Sequence, residues 1–149
     1  MKDNFRKTAI VTGASSGIGK GIAIVLAREG YVLSTVYRSN DEGIRDLREI
    51  LSDRYGSRLH AVKGDLADPC FVERYAWEAI DALGKVDLLV NNAGAGYAAK
   101  LIEMKPEDML SFIRVDFVAP LLMMKTVGRH MLENGIKGSL INITSTRAE

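Results

Sequence analysis

Short apolar runs alternate along the chain with segments whose apolar positions recur every three or four residues. Residues 7–12 (Lys-Thr-Ala-Ile-Val-Thr) read as a short buried strand. Ile18, Ile22, Val25 and Leu26 follow at helical spacing, and Gly30 stands where a C-cap belongs. Residues 31–37 are rich in β-formers. Residues 41–55 set Ile44, Leu47, Ile50 and Leu51 among charges, an amphipathic helix closed by Gly56. Residues 58–63 make a third strand. Asp68-Pro69 predicts an N-cap followed by proline in the first turn, opening a helix that runs to Leu83 and is closed by Gly84. Residues 86–90 are a fourth strand. Pro106 with Glu107 and Asp108 opens one long helix to Glu133, and residues 138–144 are a fifth strand.

Strands alternating with helices predict an α/β domain over residues 1–149. Its core would be a doubly wound, Rossmann-like parallel sheet of five strands with helices on both faces. The composition agrees: 47% hydrophobic and 26% charged residues are those of a globular chain and exclude a disordered or low-complexity one. The formal charge is +1, with no basic tract in either half, so nothing points to a nucleic acid or a membrane surface as partner. Cys70 is the one cysteine, which excludes an intramolecular disulfide and a Cys-rich metal site. The charged N-terminus lacks a secretory apolar core, and no apolar run approaches a membrane span, so a cytoplasmic location is expected.

The chemistry-bearing motifs sit at strand ends. Thr12-Gly-Ala-Ser-Ser-Gly-Ile-Gly19 joins the first strand to the first helix. Glycines there let the backbone turn sharply and let a pyrophosphate approach without meeting a Cβ, while the helix N-terminus offers unpaired N–H donors. Gly64-Asp65 follows the third strand and Asn91-Asn-Ala-Gly94 the fourth. With these three motifs the whole chain resembles the short-chain dehydrogenases/reductases. Tyr37-Arg-Ser39, Val62-Lys-Gly-Asp65 and Gly135-Ile-Lys-Gly138 are similar to bacterial glucose 1-dehydrogenases and their 3-oxoacyl-carrier-protein reductase relatives.

The resemblance implies a hydride transfer between a nicotinamide cofactor and an alcohol/carbonyl substrate. It places Gly13, Ser15, Ser16, Gly17, Ile18 and Gly19 at the pyrophosphate, Asp65 and Leu66 beside the adenine, and Asn92, Ala93 and Gly94 beside the ribose and nicotinamide. Asn91 and Asn92 would also tie neighbouring strands through their side chains. An acid at the end of the second strand would accept from the ribose hydroxyls of NAD. Tyr37 holds that place, and Arg38 next to it suits a 2′-phosphate, so NADP is the expected cofactor. Ser16 stands where NADP-dependent members carry a second basic residue, which leaves NAD open as an alternative.

The family's catalytic set is Asn-Ser-Tyr-Lys. The serine falls on Ser145, whose hydroxyl would bond the substrate carbonyl. The asparagine position holds Asp116. Pro120 lacks the N–H that would bond the Asp116 carbonyl in a regular helix, so the main-chain part of the asparagine's role is kept while the amide donor is lost. The Tyr-x-x-x-Lys pair would fall past Glu149; Tyr97 and Lys100, three apart, read as a coincidence. On this reading the chain is the N-terminal portion of the family fold, lacks its later strands and is inactive alone. A non-catalytic dinucleotide-binding module and one half of a split enzyme stay open. The helix over 106–133 holds or borders most of the methionines. It is the family's two-fold interface, so a homo-oligomer, dimer or tetramer, is expected through it.

Overall fold

In the computed structural model, residues 6–96 and 100–145 are described. Five parallel strands form one sheet in the order β3-β2-β1-β4-β5: β1 (Thr8–Val11), β2 (Val32–Tyr37), β3 (Leu59–Lys63), β4 (Leu88–Asn91) and β5 (Ser139–Asn142). The doubly wound, Rossmann-like arrangement expected from the sequence is therefore the one found. The helices are α1 (Gly17–Arg28), α2 (Asp41–Tyr55), α3 (Pro69–Leu83), α4 (Pro106–Ile113) and α5 (Ala119–Glu133).

The strand period of two distributes β1 between two cores. Ala9 and Val11 pack with Ala23, Ala27, Leu47 and Leu51 of α1 and α2 on one face. Ile10 points the other way, among Phe71, Val72 and Tyr75 of α3 and Met123, Val127 and Met131 of α5. The central strand is fully buried, as a strand covered on both faces must be. Beneath α3 the Tyr75 hydroxyl meets Ser34 Oγ at 3.0 Å, and Ser34 Oγ meets His60 Nδ1 at 3.0 Å. Burial pushes the Tyr75 phenol far above its ordinary range, so it stays neutral.

Helix ends follow the expected chemistry. Asp68 accepts from the Cys70 amide ahead of Pro69, and Gly56 and Gly84 close their helices with left-handed φ values of 56° and 76°. Strand ends move by a residue or two. At the start of β4 the Asp87 carboxylate turns back to accept from the Thr8 amide at 2.9 Å while the Asp87 amide donates to the Thr8 carbonyl at 3.1 Å, and the register with β1 runs from Leu88 onward.

One element is corrected. The single helix expected over 106–133 is broken: a π-helical turn, Arg114–Val118, separates α4 from α5, and the Ala119 amide closes it by donating to the Arg114 carbonyl. Pro120 has no N–H to give the carbonyl four residues back, so the α ladder cannot run through Asp116, and a widened turn accommodates the gap. A short 3-10 turn, Leu101–Glu103, precedes α4 and has no counterpart in the apolar pattern. The methionines are also placed differently from a Met-rich association surface. Met123 and Met131 are core and Met124 packs against it. The exposed apolar stripe is instead Leu110, Ile113, Phe117 and Leu121.

Candidate functional site

The C-terminal ends of β1, β2, β3 and β4 open onto a cleft of about 920 Å³, the size of a small-molecule or cofactor site. The loop after β1 forms its floor. Gly13 has φ 72°, and a Cβ there would come within 3.0 Å of the Ala93 backbone, so two strand-end loops meet at a spacing only glycine allows. Gly19 is tighter: a Cβ would lie 2.3 Å from Asn92 Nδ2 and 2.5 Å from the Gly13 carbonyl. Gly17 differs. Its φ is 55° and no atom lies within 4 Å of its missing Cβ, so it faces open cleft.

The floor is held by paired side chains. Thr12 Oγ1 accepts from the Asn92 and Ala93 amides, each at 3.0 Å. Asn92 Nδ2 donates to the Thr12 and Gly13 carbonyls at 3.0 and 3.3 Å. Asn91 donates to Asn142 Oδ1 at 2.9 Å, tying β4 to β5. Both asparagines thus cross-link neighbouring strand ends. Ser16 occupies the N-cap of α1 but makes no side-chain cap, and no acid stands in the first turn, so the amides of Gly17–Gly19 keep their partial positive charge toward the cleft.

A second wall comes from β2 and α2. Asn40 caps α2 by accepting from the Gly43 amide at 2.9 Å, and donates to the Ser15 carbonyl at 3.0 Å. Tyr37 donates to Asp41 Oδ1 at 2.9 Å. Arg38 is exposed, and among the described residues no carboxylate pairs with it. Asp65 folds back to accept from the Ala67 amide, and Gly64 is required because a Cβ would lie 1.9 Å from the Phe71 ring.

Every residue expected beside a dinucleotide lines this cleft: Gly13, Ser15, Ser16, Gly17, Ile18, Gly19, Tyr37, Arg38, Asp65, Leu66, Asn92, Ala93 and Gly94. Ser39, at the end of the Tyr37-Arg-Ser39 stretch, lines it too, as do Asn40, Ser111, Phe112 and Val115, which carry no motif that would have marked them. Asp116 stands behind the β4 loop, where its Oδ1 accepts from the Ala95 amide at 2.7 Å. The side chain thus serves as an acceptor that fixes the β4 loop, a use the sequence did not suggest. Ser145 lies three residues past β5, exposed, and not among the residues lining the cleft. Tyr97 lies outside the described residues.

The family model for short chain dehydrogenases matches residues 7–149. The chain belongs to the short-chain dehydrogenase family. L-rhamnose 1-dehydrogenase (NADP(+)) of Thermoplasma acidophilum is 33% identical over 148 residues, 99% of this chain and 58% of that protein. Glucose 1-dehydrogenase 2 of Bacillus subtilis is 34% identical over 149 residues, 99% of this chain and 57% of that one. Among solved structures, acetoin dehydrogenase YohF from Salmonella typhimurium superimposes with a TM-score of 0.87 at 33% identity, covering 95% of this chain and 55% of that one. The chain therefore spans a little over half the length of these relatives. In this chain the glycine loop, the start of α1 and the asparagine loop converge on one cleft. Among the described residues, no helix is long and apolar enough to cross a membrane.

Proposed function

We propose that the chain is the dinucleotide-binding part of an NADP-dependent oxidoreductase acting on an alcohol/carbonyl pair of a sugar or 3-oxoacyl-like substrate. The observation that carries this reading is the cradle at Gly17: a helix N-terminus with no side-chain cap beside a missing side chain, facing open space in the same cleft as Arg38, with which no carboxylate among the described residues pairs. The amides of Gly17–Gly19 would hold the pyrophosphate, Arg38 the 2′-phosphate, and the Asn92–Gly94 loop the ribose on the nicotinamide side. The bound nicotinamide would supply or accept the hydride. Ser145 would hold the substrate oxygen by a hydrogen bond that strengthens as charge develops there. Asp116 would act one layer back, as a positioning residue that fixes the Ala95 amide. The stripe Leu110, Ile113, Phe117 and Leu121 is where a homo-oligomer would form.

Titration calorimetry with NADPH and NADH tests the reading. A charged hydrogen bond is worth about 1.5–3 kcal/mol, so Arg38→Ala should weaken NADPH about tenfold or more and leave NADH nearly unchanged. Equal losses for both would make Arg38 a solvated surface charge and overturn the NADP assignment.

A further inference from the structure

The wall of the cleft beside Arg38 contains a second charge arrangement that the dinucleotide motifs do not call for. Tyr37 and Lys63 are register partners at the ends of β2 and β3, so their side chains share a face of the sheet. Both reach the same group. Tyr37 donates to Asp41 Oδ1 at 2.9 Å and Lys63 Nζ donates to Asp41 Oδ2 at 2.6 Å. Asp41 is the first residue of α2, directly after the Arg38–Asn40 segment that lines the cleft.

That segment is fixed at its far end as well. Asn40 bonds the Ser15 carbonyl, and a Cβ on Gly43 would lie 2.1 Å from the same oxygen, so the start of α2 is pressed against the phosphate loop. Asp41 cannot move away by a shift of the backbone. Its charge must be handled where it stands, close to where an acid would select the ribose hydroxyls of NAD and repel a 2′-phosphate.

We propose that Lys63, with Tyr37, is a specificity-determining clamp: it engages both oxygens of Asp41, keeps that carboxylate off the ribose and off Arg38, and so leaves Arg38 to a 2′-phosphate. This rests on the dinucleotide reading of the cleft. The hydrogen bonds from Lys63 and then Tyr37 hold the Asp41 carboxyl below its ordinary range, and the same bonds hold Lys63 and Tyr37 above theirs. Around neutral pH the clamp is therefore a carboxylate, an ammonium and a neutral phenol. Without Lys63, one oxygen of Asp41 loses its partner. It then either pairs with Arg38 or accepts from the ribose hydroxyls, and both outcomes favour the cofactor that lacks the phosphate. The groups are exposed, so the effect is moderate and falls with salt.

The test uses fragments that isolate the adenosine end: adenosine 2′,5′-bisphosphate and adenosine 5′-monophosphate, each titrated by calorimetry, with NADP and NAD beside them. Lys63→Met should weaken the bisphosphate by about three- to tenfold, the size expected for a screened surface charge, and leave the monophosphate within about twofold. Lys125→Ala, which removes one charge at a surface pair with Glu73 away from the cleft, should change neither. The deciding variant is Lys63→Met/Asp41→Asn. If the clamp acts by restraining Asp41, this double variant recovers the wild-type preference for the bisphosphate. If it stays as weak as Lys63→Met, Lys63 binds the phosphate directly and the proposal is overturned. Equal weakening of both fragments in Lys63→Met overturns it too. Wild-type protein that binds neither fragment instead removes the dinucleotide reading on which the proposal rests.

Discussion

The floor of the cleft and the β5 end lie on the same sheet but are held in opposite ways. At the floor, Thr12, Asn92 and Thr35 each serve more than one backbone group. Thr35 Oγ1 accepts from the Ala14 amide at 3.2 Å and donates to the Val11 carbonyl at 2.7 Å. At β5, all four residues are exposed although the strand is fully paired with β4. Among the described residues its side-chain hydrogen bonds run through Asn142, which meets Asn91 at 2.9 Å and Met124 Sδ at 3.4 Å. The floor of the cleft is thus held by side-chain bonds within this chain, whereas the β5 end is held mainly by backbone pairing.

The largest expected contrast comes from glycine. In Gly19→Ala the new Cβ would overlap both the Asn92 side chain and the Gly13 backbone. Overlap with backbone should cost about 3 kcal/mol or more and abolish dinucleotide binding. Ile141→Thr on exposed β5 should stay within about 1 kcal/mol. Urea unfolding midpoints of the two variants measure the difference, and similar values would erase the distinction between the regions.

Thr12→Val sharpens it further, because the shape is kept while the shared oxygen is lost. Two amides lose their acceptor at once, so a loss of about 2–3 kcal/mol is expected in the same unfolding assay. Asp116 comes next. Asp116→Leu removes the acceptor of the Ala95 amide and should cost about 1–2 kcal/mol, with faster hydrogen exchange at Ala95. Asp116→Asn retains Oδ1 and should recover most of that protection. If Asn and Leu exchange alike, the carboxylate oxygen is not what fixes the loop.

The smallest effect is the pH response of the Asp41 clamp. The folded-state value of Asp41 is depressed, so its contribution is present above the ordinary aspartate range and lost as pH falls through the folded value. Lys63 and Tyr37 are raised, so theirs is present below their ordinary values and lost as pH rises through the folded ones. The clamp should therefore hold unchanged between about pH 5 and 9. Carboxyl-carbon NMR should find Asp41 titrating below an ordinary aspartate, and returning toward it in Lys63→Met.

What was legible in the sequence was whatever depends on near neighbours. Apolar spacing located the strands and helices, and Asp68-Pro69, Gly56 and Gly84 marked helix ends because capping is a local hydrogen-bonding problem. The glycine and asparagine loops stood out because each must solve a backbone problem that few residue types solve. Pro120 announced a disturbed helix, but that the disturbance is a π turn with Asp116 bonded to Ala95 depended on where the β4 loop lies. The clamp was invisible for the same reason. Tyr37 and Lys63 stand in separate strand-end stretches and Asp41 carries no motif, and only the β2–β3 register and the docking of α2 on the glycine loop bring the three together. Sequence determined the periodic and capped elements, because those energies are set within a turn or two of chain. Tertiary structure alone decided which charges meet, because an ion pair acts over a few ångströms of space regardless of the length of chain between its partners.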